Sequence, residues 1–181
     1  YLRDYPDSNL AMAGGYLYAM PGDVVQLDAS RTVARPGRHI ARYRWLLHDG
    51  RECDDARPTV RAEKPGLYSE ELRVWADDGS EDRDFAQLRV WDPDRGKRIG
   101  AGWFYHAPVR GARAGQPVRF WNRLWNTTAP VTINFGDGSP VTGIDRESSH
   151  VYATPGLFTA RLQSRGPENE PLEVRMRVVI E

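Results

Sequence analysis

The chain has 181 residues, a length that fits one mid-sized domain or two domains of about 90 residues each. Lysine plus arginine and aspartate plus glutamate each number 25, so the formal net charge is zero. This balance argues against the basic face that binds nucleic acid and against a polybasic membrane contact, and no apolar run is long enough to predict a membrane-spanning helix.

Short segments in which polar and apolar residues alternate follow one another along the chain, and no amphipathic helix is predicted. In chain order the predicted strands are VVQLD, YRWLL, ELRVWA, FAQLRVW, PVRFW, VTINF, LFTARL and LEVRMRVVI. Turn signals separate them, at Pro21-Gly22, Asp49-Gly50, Pro65-Gly66, Asp78-Gly79, Gly136-Asp137-Gly138 and Pro155-Gly156. Short strands at roughly ten-residue spacing are typical of a β-sandwich.

The two halves of the chain repeat each other at an offset of about 90 residues. The matching segments are 21–30 with 114–123, 43–50 with 131–138, and 64–74 with 154–164. Between the halves lies the charged stretch DPDRGKR, which has the composition of a linker. We therefore predict one fold used twice, with a domain over residues 1–91, a linker over 92–102 and a second domain over 103–181.

The second half carries a recognisable pair of motifs, INFGDGSP and then HVYATPGLF. They resemble the PKD domain, whose signature runs W-D-F-G-D-G and then H-x-Y-x-x-P-G-x-Y. The residues that match are Phe135, Gly136, Asp137, Gly138, His150, Tyr152, Pro155, Gly156 and Phe158. The first half matches more loosely, at Trp45, Asp49, Gly50, Pro65, Gly66 and Tyr68. The resemblance implies an all-β chain of two tandem immunoglobulin-like β-sandwiches.

We predict that the turn at residues 136–138 is structural. Gly136 and Gly138 permit the positive φ angles of a tight turn, and Asp137 between them can accept backbone N–H groups. Pro155-Gly156 is predicted to be a second turn that begins the next strand. A phosphate-binding loop would need a helix N-terminus and a Lys-Ser/Thr pair, and the sequence offers neither at this place.

No catalytic residue, metal site or cofactor is predicted. The histidines at 39, 48, 106 and 150 lack metal-ligand spacing, and His150 is expected to brace a turn. The single cysteine, Cys53, cannot form a disulfide within the chain. The acidic stretch DDGSEDRD, from Asp77 to Asp84, leaves a Ca²⁺ site open as an alternative, although a solvated hairpin is favoured because the order of an EF-hand loop is missing.

Tryptophans supply the candidate surfaces. Trp121 is predicted to point outward from a strand and Trp125 to lie in the following loop, and together they form a possible ligand platform. Trp91 and Trp103 flank the linker and are predicted to contribute to an inter-domain contact. Glu70 conflicts with this pattern, because strand parity places its carboxylate inward. It would then need an arginine partner or a wet strand edge.

The resemblance implies a non-catalytic interaction or spacer module of a larger secreted, periplasmic or cell-surface protein, beside a hydrolase domain acting on polysaccharide or protein. The alternative is a carbohydrate-binding module that uses exposed tryptophans, and an enzyme is a third, disfavoured class. The expected partners are other domains of the parent protein and a polysaccharide or surface protein, without nucleic acid or membrane insertion. The sequence begins without an initiator methionine, from which we expect an excised or processed fragment.

Overall fold

The structure is a computed structural model that describes residues 8–93 and 100–181. Its elements are strands joined by turns, and no α-helix occurs in these two ranges, so the all-β prediction is confirmed. The same ranges contain no helix with the length and hydropathy needed to cross a bilayer. Residues 1–7 of the predicted first domain and 94–99 of the predicted linker lie outside the described residues.

The chain divides into two compact units. Within the described residues, unit 1 contains residues 8–63 and Ser69–Val90, and unit 2 contains Lys64–Tyr68, residues 91–93 and residues 100–181. The strands in chain order are β1 (Tyr16–Ala19), β2 (Val24–Gln26), β3 (Ile40–Leu46), β4 (Glu52–Cys53), β5 (Thr59–Arg61), β6 (Gly66–Ala76), β7 (Glu81–Val90), β8 (Phe104–Ala107), β9 (Pro117–Asn122), β10 (Thr132–Asn134), β11 (Thr142–Gly143), β12 (Glu147–Val151), β13 (Gly156–Arg165) and β14 (Pro171–Ile180).

Unit 1 contains a sheet in the order β1–β7–β6–β3–β4 and a separate antiparallel pair formed by β2 and β5. β1 runs parallel to β7, whereas β3 runs antiparallel to both β6 and β4. Alternate residues of β6 and β7 point inward because side chains alternate between the faces of a strand. The fully buried core side chains include Trp45, Leu72, Val74 and Leu88.

Strands β3 and β4 bring a buried tryptophan opposite the single cysteine. Trp45 lies opposite Cys53 in the β3–β4 pairing, and the side chain of Cys53 is half-buried. Trp45 is fully buried, and its indole Nε1 has no hydrogen-bond partner in the described part of the chain.

Unit 2 is a sandwich of two antiparallel sheets, β8–β9–β12 and β14–β13–β10–β11. Phe104, Val118 and Phe120 reach its core from the first sheet, and Ile133 and Leu162 reach it from the second. Polar residues alternate with these side chains on the outer faces. The core is therefore closed by the inward face of each sheet, and the outward faces remain available to solvent.

Candidate ligand-binding surface

The motif turn of unit 2 is held closed by Asp137. Its Oδ1 accepts hydrogen bonds from the Ser139 N–H at 3.1 Å and from the Ser139 hydroxyl at 2.6 Å, and its Oδ2 lies 2.6 Å from His150 Nε2. Burial by itself would raise the pKa of Asp137, but the hydrogen bonds from Ser139 and His150 together hold it below its usual range. Both carboxylate oxygens are thus occupied by groups of the same unit.

The aromatic residues of the motif pack on this turn. The His150 ring stacks on Phe135 with centroids 3.9 Å apart, and Tyr152 meets His150 edge-on at 4.8 Å. Tyr152 is fully buried and donates its hydroxyl to the Phe135 carbonyl at 3.0 Å. Burial raises the pKa of Tyr152 above its usual range, so this hydroxyl remains a donor.

The two glycines of the turn have different surroundings. Both have positive φ, +83° at Gly136 and +87° at Gly138. A Cβ added at Gly136 would lie 2.3 Å from the Thr159 carbonyl oxygen, whereas a Cβ at Gly138 would meet open space. Gly136 therefore lets the turn approach the backbone of β13, a contact that no other residue permits.

Unit 1 holds its corresponding turn with a different pair. Glu70 is fully buried, and its Oε2 accepts the backbone N–H of His48 at 2.8 Å while its Oε1 lies 2.5 Å from His48 Nδ1. The sequence-based expectation of an arginine partner or a wet strand edge is therefore wrong, because an imidazole and a peptide N–H satisfy the carboxylate. Asp49 closes the turn itself by accepting the Arg51 N–H at 3.0 Å.

The carboxylates of the acidic stretch at residues 77–84 bind different groups and do not converge on one point. Asp82 accepts the Ala11 N–H and Asp84 accepts the Ala13 N–H, each at 2.8 Å. Hydrogen bonds from Ser80 and then the contact with Arg35 hold the pKa of Asp78 below its usual range. No group of three or more potential metal ligands occurs in residues 8–93 and 100–181. These side chains tie the start of unit 1 to its β7 hairpin.

Aromatic side chains gather on the outward face of the β8–β9–β12 sheet. Tyr105 lies directly opposite Trp121, and their rings are nearly parallel at 17° with centroids 5.0 Å apart. Arg123 donates from Nη2 to the Tyr105 hydroxyl at 2.9 Å, and its Cζ lies 5.3 Å from the Tyr105 ring centroid. The backbone N–H of Arg123 donates to the carbonyl of Trp103, which is 54% exposed. We call Trp103, Tyr105, Trp121 and Arg123 the aromatic face.

The stacking geometry limits what the aromatic face can bind. Near-parallel rings 5.0 Å apart lie over one another, because two rings side by side in a plane would be further apart. One face of Trp121 and one face of Tyr105 are therefore covered by each other. What remains for a partner is the ring edges, the outer ring faces and a guanidinium group.

The other tryptophans singled out in the sequence are not members of this stacked pair. Trp125 exchanges backbone hydrogen bonds with Ala101 and is 45% exposed, and the ring partner that the structure gives Trp121 is Tyr105. A joint platform of Trp121 and Trp125 therefore stays a prediction. Trp91 is 50% exposed, and the inter-domain contact predicted for Trp91 and Trp103 also stays a prediction.

Tyr105 was not singled out in the sequence. The strand that carries Tyr105 escaped prediction, so nothing placed this ring opposite Trp121. The available signal was the alternation in FYHA, where Phe104 and His106 are buried and Tyr105 and Ala107 are exposed. His106 points inward with Nδ1 3.0 Å from the Pro108 carbonyl oxygen, and burial lowers its pKa.

Several solved structures match most of the chain at low identity and low TM-score. The fibronectin(III)-like modules of Clostridium thermocellum CbhA match 92% of this chain and 90% of theirs at 11% identity, with a TM-score of 0.32. Carbohydrate-binding modules from the β-sandwich superfamily match 96% of this chain and 85% of theirs at 13% identity and a TM-score of 0.41. Bacteroides ovatus SGBP-B, in complex with a mixed-linkage heptasaccharide, matches 91% of this chain but 42% of its own at 14% identity and a TM-score of 0.32. At such values likeness does not carry a function from one chain to another.

Family models give a specific match. The model described as the PKD domain matches residues 8–90, and a second model of the same description matches residues 104–170. The two matches lie in tandem and together cover most of the chain, and the described units are built of sheets as that resemblance implied. This chain therefore belongs to the PKD domain family, as two tandem immunoglobulin-like β-sandwiches.

Proposed function

We propose that the chain is a non-catalytic interaction and spacer module of a larger secreted, periplasmic or cell-surface protein, working beside a hydrolase domain that acts on polysaccharide or protein. The observation that carries this proposal is the aromatic face. Trp103 and Tyr105 stand exposed on this face, with the half-buried Trp121 and the guanidinium group of Arg123 beside them, and such surfaces mark sites of interaction.

The chemistry of the motif residues supports a non-catalytic role. A general base needs an oxygen or nitrogen that can reach a substrate proton. Both oxygens of Asp137 bind groups of its own unit, His150 packs on Phe135, and the Tyr152 hydroxyl is buried. These residues therefore serve folding stability, and the surface of the module is left for contact.

The gene that encodes these residues offers a direct test of the context. We expect its reading frame to specify a secretion signal and a hydrolase domain in the same polypeptide. Deleting the module from that polypeptide should leave the rate on a small soluble substrate unchanged and lower the rate on the intact polymer or protein. A reading frame for an intracellular protein without a hydrolase domain would contradict the proposal.

Carbohydrate binding is the second candidate, and the stacked pair of Tyr105 and Trp121 favours it, because sugars pack on aromatic rings and hydrogen-bond to polar groups such as Arg123. However, a flat platform needs free ring faces, and these two rings cover each other on one side. We therefore expect no measurable binding to soluble oligosaccharides and at most weak retention on insoluble polysaccharide.

Pull-down on cellulose, chitin, xylan and pectin separates the two candidates. The parent chain is compared with Trp121→Ala, Tyr105→Ala and Trp125→Ala, and Val24→Ala serves as a control that removes an exposed apolar side chain from unit 1. If the parent and the control are retained and the Trp121 and Trp125 variants are not, carbohydrate binding becomes the preferred function. The same result would support the predicted ligand platform of Trp121 and Trp125. Loss in the Trp121 and Tyr105 variants alone would assign sugar binding to the stacked pair.

A further inference from the structure

The strand β1 of unit 1 is an edge strand with unusually exposed side chains. It pairs with β7 alone among the described strands and stands at the end of its sheet. Tyr16, Tyr18 and Met20 alternate on one face and are 67%, 71% and 51% exposed. Leu17 and Ala19 point the other way, toward the core. We call Tyr16, Tyr18 and the open backbone beside them the β1 edge.

The direction of the peptide groups can be worked out from the ladder. The Gln87 N–H donates to the Gly15 carbonyl, and Tyr16 is the register partner of Gln87. In a parallel ladder, alternate residues of a strand make both of its hydrogen bonds to the neighbour. Leu17 and Ala19 therefore bond to β7, whereas the N–H and C=O groups of Tyr16 and Tyr18 point to the open edge.

This edge also ends sharply. The Met20 N–H donates to Asp23 Oδ2 at 2.8 Å, and the Asp23 N–H donates to the Met20 carbonyl at 3.1 Å, so the chain turns away after the strand. Two donors and two acceptors, at Tyr16 and Tyr18, are thus presented beside two exposed rings. Only another extended strand matches this pattern of donors and acceptors.

The charge pattern indicates which strand. Proteins usually protect an exposed edge with lysine, proline or an inward charge, because an open edge invites pairing. Residues 11–22, AMAGGYLYAMPG, carry no charged residue although 28% of the chain is charged. An uncharged edge suits an uncharged strand, and the chain's own β1 has that character. The whole chain has a formal net charge of zero, so two copies do not repel each other at long range.

We propose that the β1 edge docks on the β1 edge of a second copy of this chain, antiparallel about a two-fold axis. The peptide groups of Tyr16 and Tyr18 in each copy bond across the axis, and the tyrosine rings pack beside one another. The strand has four residues, so the contact falls short of the roughly 800 Å² per partner of a standard interface. The pairing is therefore reversible and depends on concentration.

Sedimentation equilibrium of the folded chain from about 1 µM to about 1 mM tests the pairing. The parent should move from monomer toward dimer across this range. The double variant Tyr16→Lys/Tyr18→Lys should associate about tenfold more weakly or worse, because two ammonium groups would meet across the axis. Val141→Lys, which adds a charge at an exposed apolar residue of unit 2, should behave as the parent does.

Hydrogen exchange supplies a second and independent readout. The amide of Leu17 should be protected at all concentrations, whereas the amides of Tyr16 and Tyr18 should gain protection only as the dimer forms. A parent that stays monomeric to about 1 mM would overturn the proposal. So would a dimer that persists in the double lysine variant, or one that forms without protecting Tyr16 and Tyr18.

Discussion

The corresponding turns of the two units are locked by the same two chemical groups supplied from opposite sides. In unit 2 the carboxylate of Asp137 sits in the turn and the imidazole of His150 comes from β12. In unit 1 the imidazole of His48 sits in the turn and the carboxylate of Glu70 comes from β6. The difference teaches that a fold can require a carboxylate–imidazole contact at one place without fixing which element carries which partner.

The exchange of the two partners between the units goes with a change in side-chain size. By the repeat, His48 takes the place of Gly136, and Glu70 takes the place of Ala160. In unit 2 the small pair allows the turn to approach the backbone at Thr159. In unit 1 a large pair fills the space, and His48 needs no left-handed backbone, since the non-glycine residues with positive φ in the described ranges are Asn126 and Asn169.

The largest effect is expected from breaking the buried lock of unit 1. Glu70→Ala should lower the free energy of unfolding by about 2–6 kcal/mol, because the His48 imidazole and the His48 N–H both lose their acceptor inside the protein, at about 1–3 kcal/mol each. Denaturant unfolding measures the loss, and hydrogen exchange assigns it to unit 1. The double variant His48→Gly/Glu70→Ala, which installs the residues of unit 2, should lose less than the sum of its single changes. Strict additivity would show that the two positions are not coupled.

The second effect concerns the close approach in unit 2. Gly136→Ala should destabilise unit 2 by more than the roughly 1–2 kcal/mol that a left-handed conformation costs, because its Cβ would collide with the Thr159 carbonyl. Gly138→Ala is the matched control, with nearly the same φ and open space around the Cβ, and should cost only the conformational part. Equal losses in thermal unfolding would mean that the backbone contact with Thr159 is unimportant.

Removal of the more exposed lock is the third change. Asp137→Ala should destabilise unit 2 by about 1–3 kcal/mol, because the turn N–H and the His150 ring lose their acceptor. A double-mutant cycle with His150→Ala gives the coupling between the partners. Affinity for any partner should stay unchanged while unit 2 is folded. A loss near zero would show that Asp137 acts as a free surface group.

The smallest effect is a pH dependence of stability that comes from the buried His106. Burial lowers the pKa of His106 below 6.5, so the unfolded chain takes up the proton more readily than the folded one. The stability of unit 2 should therefore decline as the pH falls below about 6.5, and it should be regained above that pH. His106→Gln, unfolded in denaturant at a series of pH values, should flatten this dependence. An unchanged slope in the variant would assign the pH dependence to other groups.

The motif turn was predictable from the sequence because its chemistry is local. Gly136 and Gly138 predict positive φ angles, and Asp137 between them predicts a side chain that hydrogen-bonds to the turn. The Glu70 lock was half predictable. Strand parity placed its carboxylate inward, but the partner is 22 residues away and is reached only through the pairing of β3 with β6.

The aromatic face was the part that sequence reasoning could not assemble. Trp121 was placed outward correctly by alternation, but its ring contact depends on the register between β8 and β9. β8 has four residues, and a segment that short gives too few alternations to identify a strand or its partner. The tandem repeat gave the number of domains, while their predicted boundaries at 1–91 and 103–181 stay predictions.

Cys53 gives unit 1 a single chemical probe of local opening. It is the only thiol in 181 residues, so a cysteine reagent modifies one place in the chain. Its half-buried side chain lies on β4 beside β3, where a bulky reagent should react faster whenever the hairpin opens. The labelling rate of the native protein should therefore rise when that hairpin opens more often, and comparing the parent with Glu70→Ala would measure the effect of the buried lock on the hairpin without unfolding either unit.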